Sequence, residues 1–100
     1  MKISIVIPNR NGAEMLRKNL PFVLVAAKGA EVIVVDDASE DNSLLLLKKE
    51  FPSVRVLRKS CHDGFASTVN VGVKEAKGEI VVLLNTDVRP EQNFLAPLIA

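Results

Sequence analysis

One hundred residues, 48% hydrophobic and 25% charged, fit one small soluble domain with a modest core. A net charge of +1, from 13 basic and 12 acidic residues without a basic block, argues against a nucleic-acid footprint or a polybasic membrane anchor. Cys61 is the single cysteine, which excludes an intrachain disulfide and a cysteine-rich zinc site.

Aromatic residues are few, with no Trp and no Tyr, so aliphatic and β-branched residues must carry the core, as a parallel sheet requires. Ile3 to Ile7 forms a first strand that Pro8 is expected to end, and Asn9-Arg10-Asn11-Gly12 supplies turn chemistry. The same polar stretch cuts the apolar run too short for a signal peptide or a membrane span. The cytoplasm is the default compartment, with membrane association of a longer protein left open. A helix follows from about Glu14, with Met15, Leu16, Leu20, Val23 and Leu24 near helical spacing. Pro21 must kink it or split it, and Lys28-Gly29 ends it.

Val32 to Val35 is the second strand and runs into Asp36-Asp37. Ser39-Glu40-Asp41-Asn42-Ser43 is rich in capping residues and precedes a helix built on Leu44 to Leu47. Val54 to Leu57 makes the third strand, and Cys61-His62-Asp63-Gly64 a loop in which Cys61 is expected to be half-buried. Phe65, Val69, Val73 and Ala76 then step along one stripe of an amphipathic helix ended by Gly78. Gly72 within it allows close approach to the sheet. Ile80 to Leu84 reads as a fourth strand buried on both faces, and Pro90 as the start of a last helix. The alternation of strands and helices with short connections predicts a parallel sheet with right-handed crossovers.

The chemistry sits at the strand ends, where open parallel sheets bind ligands. Strand two ends at Asp36-Asp37 and strand four at Asn85-Thr86-Asp87. A dinucleotide-binding domain needs a glycine-rich turn after strand one, and the turn here has one glycine. A phospho-receiver module needs an acid at the end of strand three, which instead ends in Leu57-Arg58-Lys59. A nucleotidyltransferase of related architecture would want a glycine-rich basic loop after strand one. Sugar transfer from a nucleotide diphosphate needs acceptors for a base and ribose, and a hard cation on the diphosphate. Two acidic strand ends suit that demand. Asp36 also fits a turn-capping role, Asp87 an Asx-turn, and Arg10 either a surface charge or a phosphate contact.

Ser4 to Asn11 resembles the opening strand and turn of the inverting family-two glycosyltransferases of GT-A-type fold. Val35-Asp36-Asp37-Ala38-Ser39-Glu40-Asp41, Gly64-Phe65-Ala66 through Asn70-Val71-Gly72, and Ala76-Lys77-Gly78-Glu79 resemble later segments of that family in order. Leu83-Leu84-Asn85-Thr86-Asp87 with Pro90 resembles its metal-binding Asp-x-Asp strand, with Asn85 at a position often held by Asp. His62 stands where asparagine is common.

The resemblance implies a Rossmann-like, three-layer α/β/α sandwich with a four-stranded parallel sheet ordered 3-2-1-4. It implies a UDP-, GDP- or TDP-sugar donor and a glycan, lipid or polysaccharide-precursor acceptor. Pro8, Asn9 and Arg10 would wall the nucleoside, Asp37 and Asp36 would take the base, and Gly64 would line the cleft. Asp87, with Asn85, would hold Mn2+ or Mg2+. The general base would come from beyond Ala100, since the apolar ending Phe94 to Ala100 reads as an interior segment of a longer chain. Alone, residues 1–100 would form the donor half, inactive in transfer, with an apolar edge that favours a homodimer. The alternative is a non-catalytic nucleotide-binding or interaction module.

Overall fold

The computed structural model describes residues 2–92, 94 and 95. Strands β1 (Ile3–Asn9), β2 (Glu31–Asp36), β3 (Arg55–Arg58) and β4 (Ile80–Leu83) form one sheet of order β3-β2-β1-β4, every pair parallel. Helices α1 (Ala13–Ala26), α2 (Ser43–Glu50) and α3 (Phe65–Glu75) make the crossovers. The architecture and strand order are those expected. Strand register runs Ile5 on Val32 and on Val82, and Val34 on Val56. No helix among the described residues is long and apolar enough to cross a membrane.

Strand side chains alternate between faces, and this splits the core in two. Ile3, Ile5, Ile7, Val32 and Val34 meet Leu16, Leu20 and Val23 of α1 and Leu46 and Leu47 of α2. On the other face Val6, Ile33 and Val35 meet Val71 of α3 and Ala76 just past its end. That second layer is thin because α3 lies close to the sheet. A Cβ on Gly72 would stand 2.4 Å from Val6 Cγ1 and 2.9 Å from Val35 Cγ2.

The burial of α3 departs from the sequence pattern. Its buried residues are Thr68 and Gly72, while Phe65 and Val73 are exposed. The close approach at Gly72 turns the small residues inward, and Phe65 and Val73 of the apolar stripe face out. β4 likewise is an edge strand: Ile80 and Val82 pack on the α1 side, whereas Val81 and Leu83 are 39% and 44% exposed on the other. Its apolar run therefore does not mean burial on both faces.

Smaller differences have simple causes. Pro8 continues β1, paired with Val35, because β4 has stopped pairing with β1 at Val6 and no donor is needed on that side. α1 passes through Pro21 as one helix. Cys61 is exposed. After Pro90 the described residues form turns, with Phe94 N donating to Glu91 O at 3.1 Å, and the rest of the expected last helix lies outside them.

An added methyl at Gly72 costs about 1–3 kcal/mol of overpacking, of which better helix propensity returns up to about 1 kcal/mol. Gly72→Ala is expected to lower stability by roughly 1–2 kcal/mol, read as a lower urea midpoint at unchanged slope. A variant as stable as the parent would contradict the close seating of α3.

Candidate functional site

β1 and β2 end side by side, Asn9 opposite Asp36, and the ladder runs one step on as Asp37 N donates to Asn9 O at 2.8 Å. Asn9 is buried and spends its amide on the neighbouring loop. Its Nδ2 donates to Asp36 Oδ1 at 2.9 Å and Ser39 Oγ at 3.3 Å, and its Oδ1 accepts from Gly12 N at 3.1 Å. Asp36 is fully buried and also accepts from Ser39 N at 3.0 Å and Ser39 Oγ at 2.7 Å. Further along, Asn11 Oδ1 accepts from Glu40 N at 2.7 Å, and Asp41 Oδ2 accepts from Ala13 N at 3.0 Å. That last bond satisfies a donor at the start of α1 which its own N-cap, Gly12, has no side chain to reach. Arg10 Nη1 donates to Asp37 O and Ala38 O, and its Nη2 to Glu40 Oε1. These bonds hold Ala38 at φ 53, a left-handed conformation that a non-glycine residue adopts at a cost.

Asp37 points to the opposite face of the sheet from Asp36. Its Oδ1 accepts from Lys59 Nζ at 3.1 Å and Asp63 N at 3.3 Å, and its Oδ2 from His62 Nδ1 at 2.5 Å. The proton of that last bond is therefore on Nδ1 when Asp37 is ionised. Lys59, just past β3, has a side chain only 10% exposed and reaches Ser67 Oγ and Thr68 Oγ1 of α3 and the Asp63 carboxylate. Burial alone would raise the Asp37 carboxyl, but hydrogen bonds from Lys59 and His62, with their charges, outweigh it and hold it below the usual range. In Asp41 burial also pushes up and is outweighed by Ser43 and by the Ala13 and Ser43 amides.

Pro8, Asn9, Arg10, Asp37, His62, Phe65 and Thr68 line one open cleft of about 220 Å3 at the carboxyl ends of the strands. Four of the expected nucleotide residues thus share one wall. Asp36 lies beneath it as a scaffold, and Gly64, at φ 100, turns the chain into α3. Its carbonyl accepts from Thr68 N at 3.1 Å and Thr68 Oγ1 at 2.7 Å. Lys59 and His62 are partners of Asp37 that sequence reasoning did not assign. The signal available was position, since both follow directly on the third strand.

Asn85 and Asp87 are exposed on the turn after β4, closed by Val88 N donating to Asn85 O at 3.2 Å. α1 holds this turn at two places. Asn19 Nδ2 donates to Thr86 O at 2.9 Å, and the Arg89 guanidinium lies 4.1 Å from the centroid of the Phe22 ring. Thr86 also packs beside Gly12, where a Cβ would stand 3.5 Å from its Cγ2. Among the described residues no three His, Cys, Asp or Glu side chains converge as a metal-ligand group. An exposed carboxylate beside an amide oxygen fits a hard cation whose other ligands are phosphates and waters.

Two measurements follow from this geometry. Carboxyls held low in the folded state contribute stability that is complete above the unfolded value and drains as pH falls through the folded one. Unfolding midpoints are therefore expected to hold above about pH 5 and to fall steadily below about pH 4, with a shallower fall in Asp41→Asn. A flat profile to pH 3 would contradict the bonding of Asp37 and Asp41. Asn19→Ala removes the donor to Thr86 O and is expected to cost about 1 kcal/mol, with faster amide exchange confined to residues 85–88. Unchanged exchange there would mean that Asn19 does not hold the turn.

Known proteins resemble this chain in sequence and in fold. A dolichol-phosphate mannosyltransferase of Pyrococcus furiosus is 33% identical over 104 residues, 99% of this chain and 29% of its own. The crystal structure of S. aureus TarS with UDP-GlcNAc matches at a TM-score of 0.87 and 26% identity, over 99% of this chain and 30% of that one. Mannosyltransferase PcManGT from Pyrobaculum calidifontis, solved with GDP-Man and Mn2+, has the same fold at a TM-score of 0.84 and 24% identity, over 97% of this chain and 31% of that one. The chain spans about three-tenths of the length of the Pyrococcus enzyme and of each of these two solved chains, of which the TarS one comprises residues 1–349. The model of glycosyl transferase family 2 matches residues 4–100. The chain belongs to glycosyl transferase family 2.

Proposed function

We propose that the protein transfers a sugar from a UDP-, GDP- or TDP-sugar to a glycan, lipid or polysaccharide-precursor acceptor, with inversion and with a divalent metal. Residues 1–100 are its nucleotide-sugar-binding half, working on the cytoplasmic side. The observation that carries the reading is Asp37: an ionised carboxylate fixed at the floor of a strand-end cleft, in a chain of this family. Three donors hold it, which leaves acceptor capacity for a base N–H. Pro8, Asn9 and Arg10 form the wall of the nucleoside pocket, braced from below by Asp36, and Gly64 sets the edge of the cleft.

Asp87, with the Asn85 carbonyl oxygen, would hold Mn2+ or Mg2+. When bound, the metal neutralises charge on the leaving nucleotide. The chain's own contribution is to fix the donor: the base end at Asp37, the phosphate end at the turn that α1 anchors. Inverting transfer also needs a general base on the acceptor hydroxyl. Asp36 is given to the scaffold and Asp37 to the nucleobase, so neither serves as that base, and in this reading residues 1–100 alone bind donor and transfer nothing.

The test is a titration of the protein with UDP, GDP and TDP, with and without Mg2+, followed by amide NMR. Shifts are expected around Asn9, Asp37 and Asp87, with Mg2+ tightening binding of the diphosphate. Asp87→Ala should lose the Mg2+ effect and keep the shifts near Asp37. Absence of binding by all three nucleotides at millimolar concentration would overturn the donor-site reading.

A further inference from the structure

Phe65 is the first residue of α3 and is 57% exposed, although its sequence pattern marks it for the core. The core does not use it. α3 meets the sheet through Thr68 and Gly72, with Val71 and Ala76 beside them. Phe65 and Thr68 both line the Asp37 cleft, and residues three apart share a helix face. The ring therefore sits one turn ahead of Thr68, at the start of the helix. Gly64 sets that position: its φ of 100 lets the chain swing out of the His62 loop, so that α3 begins with Phe65 at the cleft.

The other cleft residues are committed or offer no ring. Arg10 spends its guanidinium on Asp37 O, Ala38 O and Glu40. Asn9 is tied to Asp36 and Gly12, and Thr68 donates to Gly64 O. The His62 ring is pinned by Nδ1 on Asp37. Pro8 offers only an aliphatic ring, so Phe65 alone among these lining residues presents an exposed, apolar aromatic face. A flat ligand whose N–H is accepted by Asp37 lies at the mouth of the same cleft, and it needs such a face, because a single hydrogen bond in an open cleft gives little affinity.

We propose that Phe65 is the base-stacking residue of this site: its ring packs against the nucleobase of the donor, while His62, held by Asp37, stands at the base edge. The proposal rests on the nucleotide-sugar reading above and adds the residue through which the base contributes affinity. Stacking reads the π-face rather than the pattern of donors and acceptors, so Phe65 strengthens pyrimidine and purine donors alike, and choice between them falls to Asp37 and His62.

The chain has no Trp and no Tyr, so Phe65→Trp introduces the only indole. Its emission is expected to be quenched by UDP and unmoved by ribose 5-phosphate, which has no base. Val25→Trp, on an exposed site of α1, should respond to neither. By calorimetry, Phe65→Ala and Phe65→Leu should weaken UDP about 5- to 100-fold relative to the parent. Phe65→Trp should retain affinity, and ribose 5-phosphate should bind all of them equally. Equal UDP affinity in the parent, Phe65→Ala and Phe65→Leu, or an indole emission blind to UDP in a protein that binds it, would overturn the stacking role and leave the donor site standing. A parent protein that binds no nucleotide, with or without Mn2+, would overturn both.

Discussion

The rim of this sheet depends on one buried contact, the pairing of Asn9 with Asp36 where β1 and β2 end. A carboxyl group with no exposed surface is expensive to bury unless its oxygens are satisfied. Asn9 and Ser39 satisfy them, and in doing so they tie the loop after β1 to the loop after β2. Once that tie exists, Arg10, Asn11 and Ala13 each find a partner on the facing loop. Two loops that would each be loose alone are fixed by one another.

The period-two geometry of a strand gives the adjacent acids opposite faces and so opposite tasks. Asp36 points to the α1 side with Asn9 and is consumed by the scaffold. Asp37 points to the α3 side, where Lys59 and His62 await it. A register slip of one residue would exchange them. Asp37 would then face the α1 side, away from Lys59 and His62, and Asp36 would lose Asn9 and face α3. The exact pairing of β1 with β2 is therefore a condition of the site as well as of the core. Because Lys59 and His62 hold the Asp37 carboxylate in one place, an incoming group meets a fixed acceptor, with little ordering left to do on binding.

The parallel sheet and its alternation with helices were legible in the sequence because they follow from local signals, whereas the strand order and the residues of the cleft wall came from the family resemblance. Four apolar runs with intervening helical spacing specify a parallel sheet, and acids directly after such runs mark its rim. The face of α3 was not legible. Its apolar stripe of Phe65, Val69 and Val73 obeys helical spacing, yet Thr68 and Gly72 go inward, because contact distance rather than hydrophobicity decided which side meets the sheet. The exposed side of β4 was hidden for a related reason: an apolar run is the same string whether one face or both are covered. Lys59 and His62 escaped because their partner lies more than twenty residues away, a distance no local pattern spans. Asn19 escaped in the same way, since its bond to Thr86 joins residues 67 apart.

α1 connects the two ends of the proposed donor site. Its first amide is taken by Asp41, which belongs to the interlocked loops beside Asp37. Two turns on, Asn19 and Phe22 grip the turn that carries Asp87. From Ala13 to Asn19 a helix rises about 9 Å, and it does so as a stiff rod packed on Ile5 and Ile7. The separation between the acceptor for the base and the oxygens for the metal is thus set by a helix instead of by flexible loops. Gly12 completes the arrangement. With no side chain there, the start of α1 can lie against both Asn9 and Thr86, and a Cβ would meet Asn9 Oδ1 at 2.5 Å. In the proposed reading, a donor that engages Asp37 at one end already has its phosphates beside Asp87, because the same helix has fixed both positions before the donor arrives.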